Sequence, residues 1–310
     1  MAMAGTDVEC VLRSSALNGE SPVWSRAESK LFWVDIKGAS LHAFDPASGA
    51  DECWQMPAWI GCCALTPRGA IVALRTGLFE FDRHSGALAP LAPVPYDCRR
   101  FTFNDGHCDR QGRFFVGPMY SPLQPEASLQ DDERRAPMWR YLGDGRWQPV
   151  GPPVQISNGL AFAPDGRTLY HSDTARKTIW ACEYDPETAA VGEHRVFATV
   201  DEGGDGGGPD GACVDRDGFY TCAVFGAGCL LRFDPEGKLE RRIAIPARYV
   251  TMPAYGGNDG SILYVTSASF LLTPEERQAH PAEGALFALE APVPGLVPSH
   301  YQPATARSPP

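Results

Sequence analysis

A short segment that ends a β-strand recurs six times along this chain of 310 residues. Each copy places alternating apolar residues before a turn of the form Phe-Asp-Pro-x-x-Gly or a relative of it. Pro presets φ and Gly accepts a positive φ in such turns, and an apolar period of two is typical of strands. The copies begin at Leu41, Leu78, Met138, Ile179, Leu230 and, in a weaker form, Leu286. The repeat therefore predicts six similar hairpins.

A second hairpin precedes each copy and also occurs six times. Its copies read SRAESKLFWVD, TPRGAIVAL, DRQGRFFVG, APDGRTLYHSD, DRDGFYTCA and GGNDGSILYVTS. All-strand repeats spaced by roughly 37 to 60 residues match four-stranded blades around a channel. A sandwich or jelly roll is the alternative, but neither accounts for six copies of one unit. We predict an all-β, six-bladed β-propeller that forms one domain over 8–296, with flexible termini at 1–7 and 297–310.

The charge and cysteine content narrow the class of partners. The 27 basic and 38 acidic residues give a formal net charge of −11, which argues against nucleic acid and anionic membrane surfaces. The sequence shows no signal peptide and no stretch near the ~18 apolar residues that span a bilayer. Ten cysteines without a C-x2-C pair predict buried, unpaired thiols and no thiolate zinc site. We expect a cytoplasmic protein without nucleic-acid or membrane partners.

Polar residues recur at one position of the repeat, where the first strand of each blade begins. Counting back eight residues from the turn glycine reaches, in four blades, Gly61, Asn104, Asn158 and Asp210. The first copy lacks that glycine, but its Glu20 lies twelve residues before Phe32, as Asn158 does before Tyr170. Because the first strands of a propeller surround its axis, these positions should form a ring at one mouth of the channel.

Four ring positions carry side-chain oxygen atoms, which makes them a candidate metal site: Glu20, Asn104, Asn158 and Asp210. Two carboxylates and two amide carbonyls, without His or Cys, suit Ca²⁺, Mg²⁺ or Mn²⁺ more than Zn²⁺. A single Asn-Gly or Asp-Gly is more often a turn than a metal ligand. A metal site is favoured here because four such residues occupy the same position of the repeat. We expect one divalent cation, Ca²⁺ first, with Mg²⁺, Mn²⁺, Zn²⁺ and Fe²⁺ as alternatives.

Four segments of the chain are distinctive: GESPVW at 19–24, FNDGHCDRQGRFFVG at 103–117, ISNGLAF at 156–162 and PDGACVD at 209–215. They resemble the senescence marker protein, gluconolactonase and luciferin-regenerating enzyme family, which includes regucalcin and bacterial sugar lactonases. The similarity covers about residues 8–296. It implies a six-bladed propeller with one divalent cation bound by Glu20, Asn158 and Asp210, and with Asn104 in the same pocket. The implied reaction is hydrolysis of a small-molecule substrate, an aldonolactone, to the open sugar acid.

The implied chemistry is consistent with these residue types. A cation can polarise the lactone carbonyl while a carboxylate takes a proton from the attacking water. Asp210 is the candidate catalytic base, and Glu20 and Asn158 are expected to be fixed ligands. Asn104 is expected to orient the substrate or a bound water molecule.

Further residues are candidates for substrate binding, and some depart from the family pattern. Many sugar lactonases of this family have Arg two residues before the Asn of the FNDG motif, where this chain has Thr102. Arg100 lies two residues further back on the same strand face, and either reaches the pocket or stays at the surface. Trp59 is a candidate wall of the pocket. The family's substrate-contacting Glu has no clear match, and the long loop 120–137 is either a lid or disordered.

Three functional hypotheses follow from the sequence. The first is a metal-dependent hydrolase that opens a sugar lactone or a related small lactone. The second is a non-enzymatic calcium-binding propeller, suggested by the missing family Arg and Glu. The third is a hydrolase of another ester or phosphoester, because a propeller fold does not by itself fix a function. The sequence has no G-x-S-x-G motif, which argues against a covalent serine mechanism.

Overall fold

The computed structural model describes residues 7–124, 126, 130–204 and 207–303. In this part of the chain, 24 strands form six four-stranded sheets whose neighbouring strands are antiparallel. The sheets are the blades of a six-bladed β-propeller, and the fold predicted from the repeat is confirmed.

Strand β1 (Glu9–Leu12) belongs to blade 6, the last blade. Blades 1 to 5 each contain four consecutive strands. Blade 1 contains β2 (Gly19–Ser25), β3 (Lys30–Asp35), β4 (Ser40–Phe44) and β5 (Asp51–Gln55). Blade 2 contains β6 (Ile60–Thr66), β7 (Gly69–Leu74), β8 (Gly77–Asp82) and β9 (Ala87–Ala92). Blade 3 contains β10 (Phe101–Cys108), β11 (Phe114–Tyr120), β12 (Ala136–Gly143) and β13 (Arg146–Val154).

The remaining blades follow the same plan. Blade 4 contains β14 (Ser157–Phe162), β15 (Thr168–Asp173), β16 (Thr178–Tyr184) and β17 (Val191–Thr199). Blade 5 contains β18 (Gly208–Val214), β19 (Tyr220–Phe225), β20 (Cys229–Phe233) and β21 (Leu239–Ala244). Blade 6 contains β22 (Val250–Gly256), β23 (Ile262–Ser267) and β24 (Leu286–Glu290). The described helices are one α-helix, α1 (Pro274–Ala279), and two 3₁₀ turns, Asp132–Arg134 and Thr174–Arg176.

The repeated Asp-Pro-x-x-Gly segment forms the turn between the third and fourth strands of a blade. In blade 1 the Asp45 carboxylate accepts hydrogen bonds from the backbone N–H of Ala47 and the hydroxyl of Ser48. Gly49 closes the turn with φ of +73°, a conformation that glycine adopts without the strain a Cβ would add. The repeated sequence segment from which six blades were predicted therefore corresponds to the turn between the third and fourth strands.

The hydrophobic core is divided among the interfaces between blades. Six clusters of buried apolar side chains lie one between each pair of adjacent blades. Phe32 and Val34 of blade 1, for example, pack with Ile60 and Val72 of blade 2. This arrangement fixes the six first strands around the axis, which is where the site lies.

The two ends of the chain close the ring of blades. Strand β1 pairs with β24 as the outer strand of blade 6, with Glu9 opposite Ala288 and Cys10 opposite Phe287. Because β22 to β24 come from the C-terminal part of the chain, this pairing joins the first and last parts of the propeller.

The segment after β24 differs from the predicted unpacked tail as far as the structure describes it. Tyr301 is only 6% exposed, and its backbone N–H donates to the carbonyl of Leu65 in blade 2. The hydroxyl of Ser299 and the backbone N–H of Gln302 donate to carbonyls of blade 3. The segment thus covers a cavity of about 190 Å³ at one end of the channel. Residues 1–6 and 304–310 of the predicted termini lie outside the described residues.

All ten cysteines lie within the described residues, and none forms a disulfide. Seven of them are buried, in agreement with the expectation of unpaired apolar thiols, whereas Cys10, Cys53 and Cys98 are at least partly exposed. In the described part of the chain, no helix has the length and apolar character needed to span a bilayer.

Candidate active site

Each blade's first strand has a local irregularity, which in blades 1 to 5 lies at the position counted in the sequence repeat. The register against the second strand shifts at Glu20/Val23, Ile60/Cys62, Phe103/Gly106, Asn158/Ala161, Pro209/Ala212 and Val250/Pro253. A β-bulge leaves an extra residue unpaired in one strand and redirects the side chains next to it. In blades 1, 3, 4 and 5 the residue at this irregularity lines the cavity at the channel mouth.

The four ring residues meet at one mouth of the channel. Glu20, Asn104, Asn158 and Asp210 all line one cavity of about 410 Å³. Each of these side chains is at most 6% exposed. The cavity lies at the opposite end of the channel from the C-terminal segment, and its rim is formed by aromatic and apolar residues of the surrounding loops.

A chain of hydrogen bonds fixes the two amide side chains. Asn104 Nδ2 donates to the carbonyl of Ser157 and to Asn158 Oδ1, each at 2.9 Å. Asn158 Nδ2 donates to Thr174 Oγ1 at 2.7 Å, and that hydroxyl donates to the carbonyl of Pro209 at 2.8 Å. The chain links blades 3, 4 and 5, and it sets which atom of each amide faces which neighbour. Thr174 was not predicted from the sequence, because it follows a second strand and lies outside the counted repeat position.

The two ring carboxyl groups, those of Glu20 and Asp210, are buried and line the same cavity. Burial is the main cause that raises the pKa of Glu20, and the charges of Asp210 and Asp105 raise it further. Burial also raises the pKa of Asp210, with a further contribution from the charge of Asp105. Neither carboxyl group has a basic ion-pair partner among the described residues.

Asp105 is a third buried carboxyl group near the two ring carboxyl groups, and it was not predicted from the sequence. Its Oδ2 accepts a 2.7 Å hydrogen bond from the backbone N–H of Leu160, whereas Oδ1 has no partner among the described residues. Burial raises its pKa to about 7. Counting one residue per blade selected Asn104 and passed over its neighbour, although the bulge brings both toward the axis. The consecutive Asn-Asp pair was the available signal.

These side chains fit a hard divalent cation. Three buried carboxyl groups without a basic ion-pair partner in the described part of the chain leave negative charge that a cation would neutralise. The described residues contain no group of three or more His, Cys, Asp or Glu side chains arranged to hold a metal ion. A cation at Glu20 and Asp210 would therefore take amide oxygen as well, as Ca²⁺ and Mg²⁺ do.

The structure does not place the other candidate substrate residues in this cavity. Thr102 is fully buried beside Met119, and its hydroxyl has no hydrogen-bond partner among the described residues. Arg100 turns to the loop after β11, where it donates to Glu126 and to the carbonyl of Glu133. Trp59 is half-buried against the cluster between blades 1 and 2.

The loop 120–137 folds back on blade 3 in its described part. Glu126 accepts from both Arg100 and the hydroxyl of Tyr120, and the Arg75 guanidinium donates to the carbonyl of Ser121 at 2.6 Å. None of the residues 121–137 that the structure describes lines the cavity. Residues 125 and 127–129 of the predicted lid lie outside the described residues.

A sequence model of the SMP-30/gluconolactonase/LRE-like region matches residues 18–269, which include all four ring residues. The chain belongs to this family. The family assignment confirms the resemblance inferred from the four sequence segments, and the propeller is the fold of its solved relatives.

The relatives of this SMP-30/gluconolactonase/LRE-like protein match it over nearly its whole length. The 6-deoxy-6-sulfogluconolactonase of Pseudomonas putida is 37% identical over 289 residues, which are 93% of this chain and 96% of the relative. Regucalcin of Oryctolagus cuniculus is 30% identical over 302 residues, 96% of this chain and 99% of the relative. The crystal structure of a calcium-binding regucalcin from Agrobacterium tumefaciens has a TM-score of 0.85 at 27% identity, covering 97% of this chain and 100% of that one.

These comparisons confirm the prediction of a gluconolactonase-like enzyme at the level of the family.

Proposed function

We propose that this protein is a cation-dependent hydrolase that opens a sugar lactone, or a related small lactone, to the hydroxy acid. One observation carries the proposal: buried carboxyl groups without basic partners and two oriented amides meet in one cavity at the mouth of the propeller channel. Such a site provides oxygen ligands for a hard cation and also a carboxylate that can act as a base. A cation that activates the carbonyl and a base that activates water are the two requirements for this hydrolysis.

A divalent cation held by Glu20, Asn158 and Asp210 would polarise the lactone carbonyl, stabilise the charge that develops on its oxygen and keep the carboxyl groups ionised. Of the two carboxylates that line the cavity, Glu20 and Asp210, we assign Asp210 as the base that takes a proton from the attacking water. Asn104 has both amide hydrogens directed at Ser157 and Asn158, so its Oδ1 is free to accept a hydrogen bond from a substrate hydroxyl or from water. Thr174 holds Asn158 in place.

The details of substrate, cation and location are parts of this proposal. A sugar lactone is supported by the 37% identical relative named 6-deoxy-6-sulfogluconolactonase. Calcium is supported by the oxygen-only ligand set and by the relatives named regucalcin, one of them described as calcium-binding. The ten unpaired cysteines fit the reducing environment of the cytoplasm.

The test is acid release from aldonolactones in a pH-stat, comparing wild type with Asp210→Asn. We expect this variant to lower kcat/KM by about 100-fold or more, the usual range for loss of a general base. The matched control is Asp217→Asn, which removes one carboxylate from an outer turn between β18 and β19. Equal rates in all three proteins would contradict the assigned role of Asp210.

A non-enzymatic calcium-binding propeller is the second candidate. It is favoured by the lining of the cavity, in which Arg248 is the one basic side chain among the described residues. Tight cation binding by wild type without turnover of any lactone in the same assay would support this candidate against the first.

A further inference from the structure

A cysteine, a histidine and an aspartate lie together on the outer half of blade 1. His42 in β4 stands directly opposite Cys53 in β5, so both side chains project from the same face of the blade. Asp51 lies two residues before Cys53 and shares that face, because side chains alternate along a strand. None of the three residues lines the cavity of the candidate active site or the cavity at the other end of the channel.

The histidine ring is held between the carboxylate and the thiol. His42 Nδ1 donates to Asp51 Oδ2 at 2.7 Å, and a ring with its proton on Nδ1 has Nε2 free to accept one. The Trp33 indole stacks on the His42 ring with 3.9 Å between ring centres, and its Nε1 donates to Asp51 Oδ1 at 3.2 Å. Cys53 Sγ lies 3.7 Å from His42 Nε2. The three side chains are therefore arranged as a nucleophile, a base and an orienting carboxylate.

Ser40 is a second neighbour of the histidine ring. Its Oγ lies 2.8 Å from the same His42 Nε2. Ser40 is only 6% exposed, whereas Cys53 is the one exposed residue among the ten cysteines, all of which lie in the described part of the chain. A nucleophile has to be reached by its reaction partner, so the Cys53 thiol is the reactive group here and Ser40 supports the ring.

The thiol of Cys53 is protonated at neutral pH. Desolvation by the surrounding side chains raises its pKa, a hydrogen bond with the Ser40 hydroxyl lowers it, and the charges of Asp51 and Asp35 raise it further. A thiol must lose its proton before it attacks, and a thiol of higher pKa is the stronger nucleophile once it has done so. His42 Nε2 is in position to take that proton.

We propose that Cys53, His42 and Asp51 form a second reactive site, at which the Cys53 thiol exchanges with small aliphatic disulfides and becomes reversibly modified. His42 Nε2 takes the proton of the thiol, and the Cys53 sulfur attacks one sulfur atom of the disulfide. The S–S bond of the disulfide breaks, and a new S–S bond joins Cys53 to one half of the molecule. The other half leaves as a thiolate and receives the proton from His42, so the Cys53 sulfur is oxidised and the released sulfur is reduced.

Two features favour a disulfide over an ester as the reaction partner. In thiol–disulfide exchange the negative charge moves from one sulfur to another, so no hydrogen-bond donors are needed to stabilise an oxyanion. The thiol is also on β5, the outer strand of its blade, and lies outside both cavities. A small linear molecule can therefore approach Cys53 from solvent.

The test measures the rate at which bis(2-hydroxyethyl) disulfide modifies each cysteine of the full-length protein, by acid quenching and peptide mass spectrometry. We expect Cys53 to be modified before the partly exposed Cys10 and Cys98 in wild type. His42→Phe, which keeps a ring against Trp33, should lower the rate constant at Cys53 by about 10-fold or more, because the base is lost. Dithiothreitol should reverse the modification.

Asp51→Asn tests the orientation of His42 without removing its ring. The amide oxygen can still accept from Trp33 Nε1, but the amide NH₂ group then faces His42 Nδ1 and favours the proton on Nε2. Nε2 can then no longer accept the proton of Cys53, so we expect the rate constant to fall by about 10-fold. This variant carries the test if His42→Phe does not fold.

The matched control is Glu52→Gln. Glu52 lies next to Cys53 on β5 and forms an ion pair with Lys30, so this variant removes one carboxylate beside the thiol and leaves His42 and Asp51 in place. It should keep the wild-type rate constant at Cys53.

Two outcomes would overturn the reactive site. One is faster modification of Cys10 or Cys98 than of Cys53 in wild type. The other is a rate constant at Cys53 within twofold of wild type in both His42→Phe and Asp51→Asn. Lactone hydrolysis plays no part in this measurement, so its outcome is independent of the function proposed for the cavity.

Discussion

Buried ionisable side chains occur in two different settings in this protein. Glu20 and Asp210 line the cavity at the channel mouth, the charge of Asp105 acts on both, and burial raises the pKa of all three carboxyl groups. Such a group of carboxyl groups destabilises the fold unless a cation neutralises it, and residues of this kind are typical of functional sites. Inside blade 4, His171 is fully buried and has no hydrogen-bond partner for its ring among the described residues.

His171 should make stability depend on pH. Burial, followed by the charge of His194, lowers its pKa from 6.5 to about 4. Between these values the unfolded chain binds a proton that the folded chain does not, so stability falls as the pH is lowered from 6.5 to about 4. The loss should reach about 3 kcal/mol. We expect His171→Phe, which keeps a ring against Trp180, to remove this part of the dependence.

The measurement is the free energy of unfolding from guanidinium titrations at several pH values. His84→Gln, at an exposed turn position, is the control and should follow wild type. The same pH dependence of the free energy of unfolding in wild type and His171→Phe would contradict the role assigned to His171.

At the scale of the element, the bulged first strand is the unit that builds the site. In β14, Gly159 follows Asn158 within the bulge and has φ of +63°. Its carbonyl accepts a 3.0 Å hydrogen bond from the Tyr220 hydroxyl of blade 5. The bulge thus holds Asn158 toward the axis and also ties two blades together.

Gly159→Ala should disturb both the fold and the site. A Cβ there would overlap the Tyr220 hydroxyl and lie 2.9 Å from Ser172 Oγ, in a backbone conformation that alanine disfavours. We expect a loss of about 2–4 kcal/mol in the free energy of unfolding, together with weaker cation binding. Gly49→Ala is a matched control, because Gly49 also has a positive φ but has nothing within 4 Å of the added Cβ.

The control should lose only about 1 kcal/mol, from the backbone conformation alone. Thermal and denaturant unfolding of both variants provides the comparison. Equal losses in the two variants would show that the contacts of the Gly159 bulge contribute little.

The sequence predicted the blades and the ring residues because both follow from regular features. Turn residues such as Asp45 and Gly49 repeat in sequence, and counting from turn glycines located Asn104, Asn158 and Asp210. The bulges were not predicted, since they depend on how two strands pair. For the same reason Asp105 was missed.

At the scale of the whole molecule, the two ends of the chain hold the ring of blades together. Strand β1 completes blade 6, and residues 295–302 cross the end of the channel away from the site. In this crossing, Gly295 bridges to Asp215 of blade 5 and Tyr301 reaches the core between blades 2 and 3. The C-terminal segment therefore stabilises the propeller without contributing to the candidate active site.

Tyr301→Ala should destabilise the protein while leaving hydrolysis intact. Truncation of this buried ring leaves a cavity, which we expect to cost about 2–4 kcal/mol in the free energy of unfolding. His300→Ala, at the neighbouring half-buried position, should cost less than about 1 kcal/mol. Unfolding curves and kcat/KM are measured on the same samples. A stability like that of wild type in Tyr301→Ala would contradict the packed segment.

Cation-dependent lactone hydrolysis is tested most directly by a cation titration of chelator-treated wild type, with acid release from an aldonolactone recorded in a pH-stat and bound cation measured in parallel. We expect little acid release without cation, and a rate that rises in proportion to bound cation and saturates at one cation per chain. A rate that neither falls on chelation nor rises on adding Ca²⁺, Mg²⁺, Mn²⁺, Zn²⁺ or Fe²⁺ would contradict it.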